Sequence, residues 1–130
     1  MNLTIIGASA GVGFETVKRA LVRNHTVTTL SRSEIDLPPN PCLIKLKGSA
    51  TDRSDLKKSL ENADAVIVAL GTGKSMKPTT LYSDFAKELV EAQKEMRRDV
   101  PFIILTGFGA GDSCDFQSNW LMKLIFKFLL

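Results

Sequence analysis

IIGASAGVGFETV, residues 5–17, decides how the rest of this chain is read. An apolar run, Leu3 to Ile6, enters three glycines, Gly7, Gly11 and Gly13, and a helical pattern leaves them. The run predicts a buried parallel strand; Val17, Ala20 and Leu21 at helical spacing predict a helix that closes at Asn24. Glycines at such a junction either let a ligand approach the backbone or merely let the chain turn. A helix N-terminus carries unpaired N–H groups and partial positive charge, so the fitting ligand is an anion such as a phosphate. Gly7 would then permit the turn, Gly11 the approach of the phosphates, and Gly13 the packing of helix on sheet. The spacing is G-x-x-x-G-x-G rather than G-x-G-x-x-G, and no Gly-Lys-Ser/Thr follows, which argues against ATP hydrolysis at a P-loop.

Working outward, Thr26 to Leu30 is β-branched and reads as a second strand, followed by the polar, proline-rich loop SRSEIDLPPNP. Cys42 to Lys47 reads as a third strand whose Lys45 and Lys47 suit a charged edge. Leu56, Leu60 and Ala63 share one face of a helix over Asp52 to Ala63. ADAVIVAL, 63–70, reads as a fourth, fully buried strand. Leu81, Phe85, Leu89, Ala92 and Met96 form the stripe of a long amphipathic helix. PFIILT, 101–106, reads as a fifth strand, followed by a Gly-rich loop and a last helix in NWLMKLIFKFLL. Strands alternating with helices, joined by right-handed crossovers, predict an α/β fold. The expected architecture is a Rossmann-like doubly wound parallel sheet of about five strands, in the order 3-2-1-4-5.

The totals bound the rest. A chain of 130 residues, 44% hydrophobic, holds one domain with a real core. A net charge of +3 suits anionic small molecules, and no basic stripe interleaved with aromatics points to nucleic acid. Cys42 and Cys114 are far apart, with no metal spacing and no disulfide framework, as expected for free thiols in a reducing compartment. No apolar run approaches membrane-span length, and strand-like sequence from Asn2 or Leu3 leaves no room for a signal peptide. A cytoplasmic protein, with no membrane or nucleic-acid partner, is the expectation.

In a doubly wound fold the end of the second strand meets the adenosine ribose, where an acid favours NAD and an arginine pairs with the extra phosphate of NADP. Here the stretch is Ser31-Arg32-Ser33, with Glu34 only later. Arg32 reads as a 2′-phosphate ligand helped by the serine hydroxyls, against the alternative of a solvated loop arginine. Asp52 could accept from the adenine amino group and could equally cap the next helix, and the two roles are compatible. Small residues in ALGTGK, 69–74, would admit the riboses or simply end the strand.

GASAGVG, LSRS, ATD, DAVIVALGT and ILTGFGAGDS, in this order, resemble an atypical short-chain dehydrogenase/reductase. The similarity points to the NAD(P)H-binding group that includes the biliverdin-IXβ/flavin reductases and the NADH-flavin reductases. It covers nearly the whole chain. The resemblance implies a Rossmann fold, NADPH preferred over NADH, and hydride transfer to a small-molecule acceptor of flavin, quinone or tetrapyrrole type. It places Gly7, Ser9, Gly11, Val12 and Gly13 at the pyrophosphate, Ser31 and Arg32 at the 2′-phosphate, and Asp52 at adenine. Leu70, Gly71 and Thr72 would line the ribose, and Thr106, Gly107 and Phe108 would stand beside the nicotinamide. Thr106 and Ser113 are weak catalytic candidates, and no metal is implied.

Two departures stand out. The larger family uses Tyr-x-x-x-Lys, in which the lysine tunes a proton-shuttling tyrosine. The single tyrosine here is Tyr82, with Lys87 five residues on, in a helix preceding the fifth strand, so no catalytic role is assigned to it. Relatives also run on to a sixth strand and a substrate-side segment. The expectation is one NAD(P)-binding domain over 1–130 lacking that segment, a fragment or else a chain that self-associates through the strand-five edge or the C-terminal helix. The competing function is a non-catalytic NAD(P)-sensing module of the same fold.

Overall fold

Ile5 and Ile6 are neighbours in sequence and both fully buried, yet they feed different cores. Alternation along a strand explains this: the strand lies in the middle of a sheet covered on both faces. The structure is a computed structural model that describes residues 1–72, 79–97 and 99–105. Its elements are β1 (Asn2–Ile6), α1 (Gly11–Val22), β2 (Thr26–Ser31), β3 (Leu43–Lys47), α2 (Arg53–Leu60), β4 (Ala65–Val68), α3 (Leu81–Met96) and β5 (Phe102–Ile104). All pairings are parallel, and the order β3-β2-β1-β4-β5 is the one expected from the sequence. In register, Ile5 lies between Thr29 of β2 and Ile67 of β4.

One face is filled by α1: Val17 and Ala20 meet Ile5 and Val27. The other holds α2 and α3: Leu56, Leu60, Phe85 and Leu89 meet Ile6, Leu30, Val66 and Val68. Each fully buried aliphatic side chain contributes about 1.5–3 kcal/mol, so these two layers dominate stability. The buried Thr4 hydroxyl donates to the carbonyl of Ser59 at 2.6 Å, tying β1 to α2 without leaving a polar group unpaired. α1 ends as its sequence predicts, with Asn24 in the left-handed conformation at φ 59°.

β4 departs from expectation. It spans Ala65–Val68 rather than 63–70, and only Val66 and Val68 are buried; Ala65 and Ile67 are partly exposed. The reason is lateral: α1 packs over β1 and β2, so on that face Ile67 lies at the margin of the core. Asp64 stands before the strand, its carboxylate accepting the Asn2 N–H at 2.7 Å. α2 is likewise shorter than 52–63, although Ala63 remains buried beyond its end. β5 is three residues long, with Ile103 and Ile104 exposed. The expected last helix lies outside the described residues, as do Gly73 and Lys74.

Two charged features were not visible in the sequence. Lys45 donates to the carbonyls of Ile35 (3.1 Å) and Leu37 (2.6 Å), pinning the proline-rich loop to the sheet edge. Arg53 bridges Glu88 (2.8 Å) and Glu95 (2.9 Å), and Lys57 reaches Glu95 at 3.0 Å, lacing α2 to α3. Hydrogen bonds from Lys57 and Arg53 hold the Glu95 carboxyl below the usual carboxylate range. Among the described residues no helix is long and apolar enough to cross a membrane.

Candidate functional site

A parallel sheet puts every strand's carboxyl end on one side, and here those ends open on a cleft of about 770 Å³, a size typical of small-molecule sites. It runs from the β3–α2 loop (48–51) past the end of β2 (30–33) and the β1–α1 turn. It continues to the residues after β4 (69–72), the first turn of α3, and Leu105 after β5.

The β1–α1 turn is built into the sheet. The Gly7 N–H donates to Leu30 at 2.9 Å, and the Ala69 N–H donates to Ile6 at 2.8 Å. Gly7 has φ 85°, and a Cβ there would lie 2.5 Å from the Ala69 carbonyl oxygen. Both conditions demand glycine. Gly13 is required for a different reason: a Cβ would run into the Gly7 carbonyl oxygen and lie 3.0 Å from its carbon. Gly13 does not line the cleft; it lets α1 sit directly on the turn. At Gly11 a Cβ would meet nothing within 4 Å, which leaves open space above the helix end.

That helix end is electrostatically bare. Ala10 at the N-cap makes no side-chain cap bond, and the first turn holds no acid. The neighbouring α2 is closed instead, because Asp52 accepts the Asp55 N–H at 2.9 Å. Asp52 therefore fills the capping role, and it does not line the cleft. An uncapped N-terminus with clear space above it fits a phosphate.

Arg32 is the single charged residue among the described residues lining the cleft, and no described carboxylate pairs with it. Ser31 is buried, and its hydroxyl donates to the Ser33 carbonyl at 2.8 Å. Its proton is thus engaged in shaping the turn that carries Arg32. Ser9, Val12, Leu70, Gly71 and Thr72 all line the cleft. Thr106, Gly107, Phe108 and Ser113 lie outside the described residues.

Two parts of the wall were missed. Gly48 to Thr51 close the β3 side; Ser49 and Thr51 face each other with hydroxyls 2.9 Å apart, and the Ser49 N–H donates to Asp55 at 2.9 Å. Strand order alone placed this loop beside the β2 end, so topology was a usable signal. Tyr82, set aside because it lacks a lysine partner at the right spacing, lines the cleft with Leu81.

The family model described as NAD(P)H-binding matches residues 7–130, and the chain belongs to that family. Among solved structures, a wide-type short-chain dehydrogenase/reductase from Veillonella parvula in complex with NADP superposes with a TM-score of 0.74 at 18% identity, covering 99% of this chain and 56% of that one. The oxidoreductase ylbE from Lactococcus lactis gives 0.71 at 20% identity, over 96% and 57%. The Bordetella bronchiseptica enzyme WbmH in complex with NAD+ gives 0.62 at 19% identity, over 74% and 36%. At such identities the likeness speaks of fold. The chain spans between about a third and three fifths of the length of these structures.

Proposed function

We propose that this member of the NAD(P)H-binding family is a reductase that takes NADPH in preference to NADH and serves a small planar acceptor of flavin, quinone or tetrapyrrole type. The observation that carries the nucleotide preference is the cleft's charge: one free arginine at the β2 end, and no acid among the described lining residues. The N–H groups of Gly11 and Val12 would donate to the pyrophosphate, and Ser9 would stand beside it. Arg32, offering a planar fork of donors, would hold the 2′-phosphate. The Ser31–Ser33 hydrogen bond would keep that arginine presented to the cleft. Leu70, Gly71 and Thr72 would lie along the ribose. When bound, the nicotinamide supplies a hydride; with one proton from water the acceptor gains two electrons and two hydrogens, and the nicotinamide is left oxidised. The chain's part in this reading is placement: the acceptor must lie against the reactive face, which needs no proton-shuttling tyrosine.

The test is calorimetric titration of the protein and of Arg32→Ala with NADPH and NADH. A charge-assisted hydrogen bond contributes about 1.5–3 kcal/mol, so the variant should lose about ten- to a hundredfold in NADPH affinity. Its NADH affinity should change by less than about threefold, within the scatter of a surface substitution. Equal affinity of the unmodified protein for both nucleotides would remove the preference. Turnover of NADPH with flavin or menadione then separates a reductase from a nucleotide sensor.

A further inference from the structure

Tyr82 is the one tyrosine of the chain. It is half exposed and lines the cleft, and its hydroxyl bonds to no described residue. Its position on α3 is fixed. Residues 82, 85, 89 and 92 share one helical face, and Phe85, Leu89 and Ala92 are buried in the core between α3 and the sheet. The apolar stripe therefore runs one turn past the ends of the strands. Its last member meets the cleft instead of the core. A large flat ring is thus held by a sixteen-residue helix at the cleft wall.

Among the described residues, those lining this end of the cleft are small or aliphatic. Leu70, Gly71 and Thr72 follow β4, Leu81 precedes it on the helix, and Leu105 follows β5. Strand order puts this end of the cleft on the opposite side of the β1–α1 turn from Arg32. A nucleotide with its 2′-phosphate on Arg32 and its pyrophosphate on α1 would direct its other end here.

Resting on the reading that the cleft takes NADPH, we propose that Tyr82 is the acceptor-binding residue, the face against which a planar aromatic acceptor stacks. An aromatic ring held on a rigid helix recognises a flat π-system by offset stacking and excludes water from its face. Gly71, which lines the same cleft, carries no side chain that would compete with a ligand for that space. The ligand class is flat, conjugated and largely uncharged at the stacked part, such as an isoalloxazine or a quinone. Saturated sugars or acyl chains would gain apolar contact with the ring but not the offset stacking of two π-systems.

The experiment titrates FMN and menadione, each with and without saturating NADP+, into the protein and into Tyr82→Phe and Tyr82→Leu, with NADPH titrated separately. Flavin fluorescence and calorimetry report binding, and thermal melts confirm that the variants fold; Tyr82→Phe keeps the ring in place. Tyr82→Leu should bind the probes about tenfold more weakly, and Tyr82→Phe within about threefold of the parent. NADPH affinity should stay within about twofold in all three, because the side chain is placed away from the phosphates. Equal probe affinity in Tyr82→Leu and the parent overturns the proposal, and so does a parent that binds neither probe. Tyr82-dependent probe binding in a protein that does not bind NADPH would uphold the stacking face and reject the cofactor reading instead.

Discussion

Replacing Gly7 and Gly11 separately by alanine should split stability from binding. At Gly7 two penalties add. An alanine held at φ 85° is in a sparsely populated region, which costs about 1–3 kcal/mol. Its methyl would lie 2.5 Å from the Ala69 carbonyl oxygen and 3.0 Å from the Leu70 nitrogen. Both atoms are backbone of the adjacent strand end, so relief requires moving β4, an overpacking cost of about 1–3 kcal/mol. The sum, about 2–6 kcal/mol, is a large part of the roughly 5–15 kcal/mol that holds a domain folded. For a chain of this size it should lower Tm by about 6–24 °C. At Gly11 the φ is 57° and a methyl meets no atom. The left-handed conformation costs about 1–2 kcal/mol there, partly offset by about 0.4–1 kcal/mol from a stiffer unfolded chain. Gly11→Ala should therefore melt within a few degrees of the parent, by the scale of roughly 3–4 °C per kcal/mol. Yet its methyl would occupy the space proposed for the pyrophosphate, and NADPH affinity should fall by about tenfold or more. Urea and thermal denaturation give the first comparison, calorimetry the second. A Gly7→Ala protein as stable as the parent would refute the geometry of the turn. A Gly11→Ala protein with undiminished affinity would refute its occupancy by phosphate.

Asp52→Ala should cost about 0.5–2 kcal/mol by uncapping α2, and should leave NADPH affinity within about twofold, since the carboxylate faces the helix and not the cleft; a large loss of affinity with an unchanged urea midpoint would restore an adenine role. Glu95 supplies a pH-dependent term. Its native carboxyl is held below the usual range by Lys57 and Arg53, so its contribution is present above the unfolded carboxylate value and is lost as pH falls through the native one. The stability gap between the parent and Glu95→Gln should therefore be present near neutral pH and close in strongly acidic buffer, and a gap independent of pH would argue against the interhelix network.

The fold was legible because its signals are periodic and local. Val17, Ala20 and Leu21 mark one face of α1, the β-branched Thr26 to Leu30 marks β2, and crossover handedness does the rest. The glycine turn was legible for the same reason: Gly7 and Gly13 answer to backbone contacts within a few residues or one strand away. What escaped depends on where elements end relative to each other. Tyr82 lies three residues before Phe85, on the core stripe, and nothing local says that the sheet stops short of it. Lys45 is written as an edge charge, but its target carbonyls, Ile35 and Leu37, come from a loop whose path is set by tertiary packing. Of the two roles Asp52 carried, only the cap can be read from the fold, because its partner, the Asp55 N–H, belongs to the chain itself.

The Gly7 amide is bonded to Leu30 on one neighbouring strand, while the next strand along the sheet fastens to Ile6 through Ala69. The glycine turn is thus a rung of the central ladder rather than a loop hung from it. It cannot open without parting β1 from its neighbours, so its amide should exchange with solvent on the timescale of global unfolding. A ligand arriving there meets donors already aligned and has no segment to order. Hydrogen exchange at Gly7 would then read the stability of the whole sheet from inside the site, and a bound nucleotide would slow that exchange by its full linkage energy.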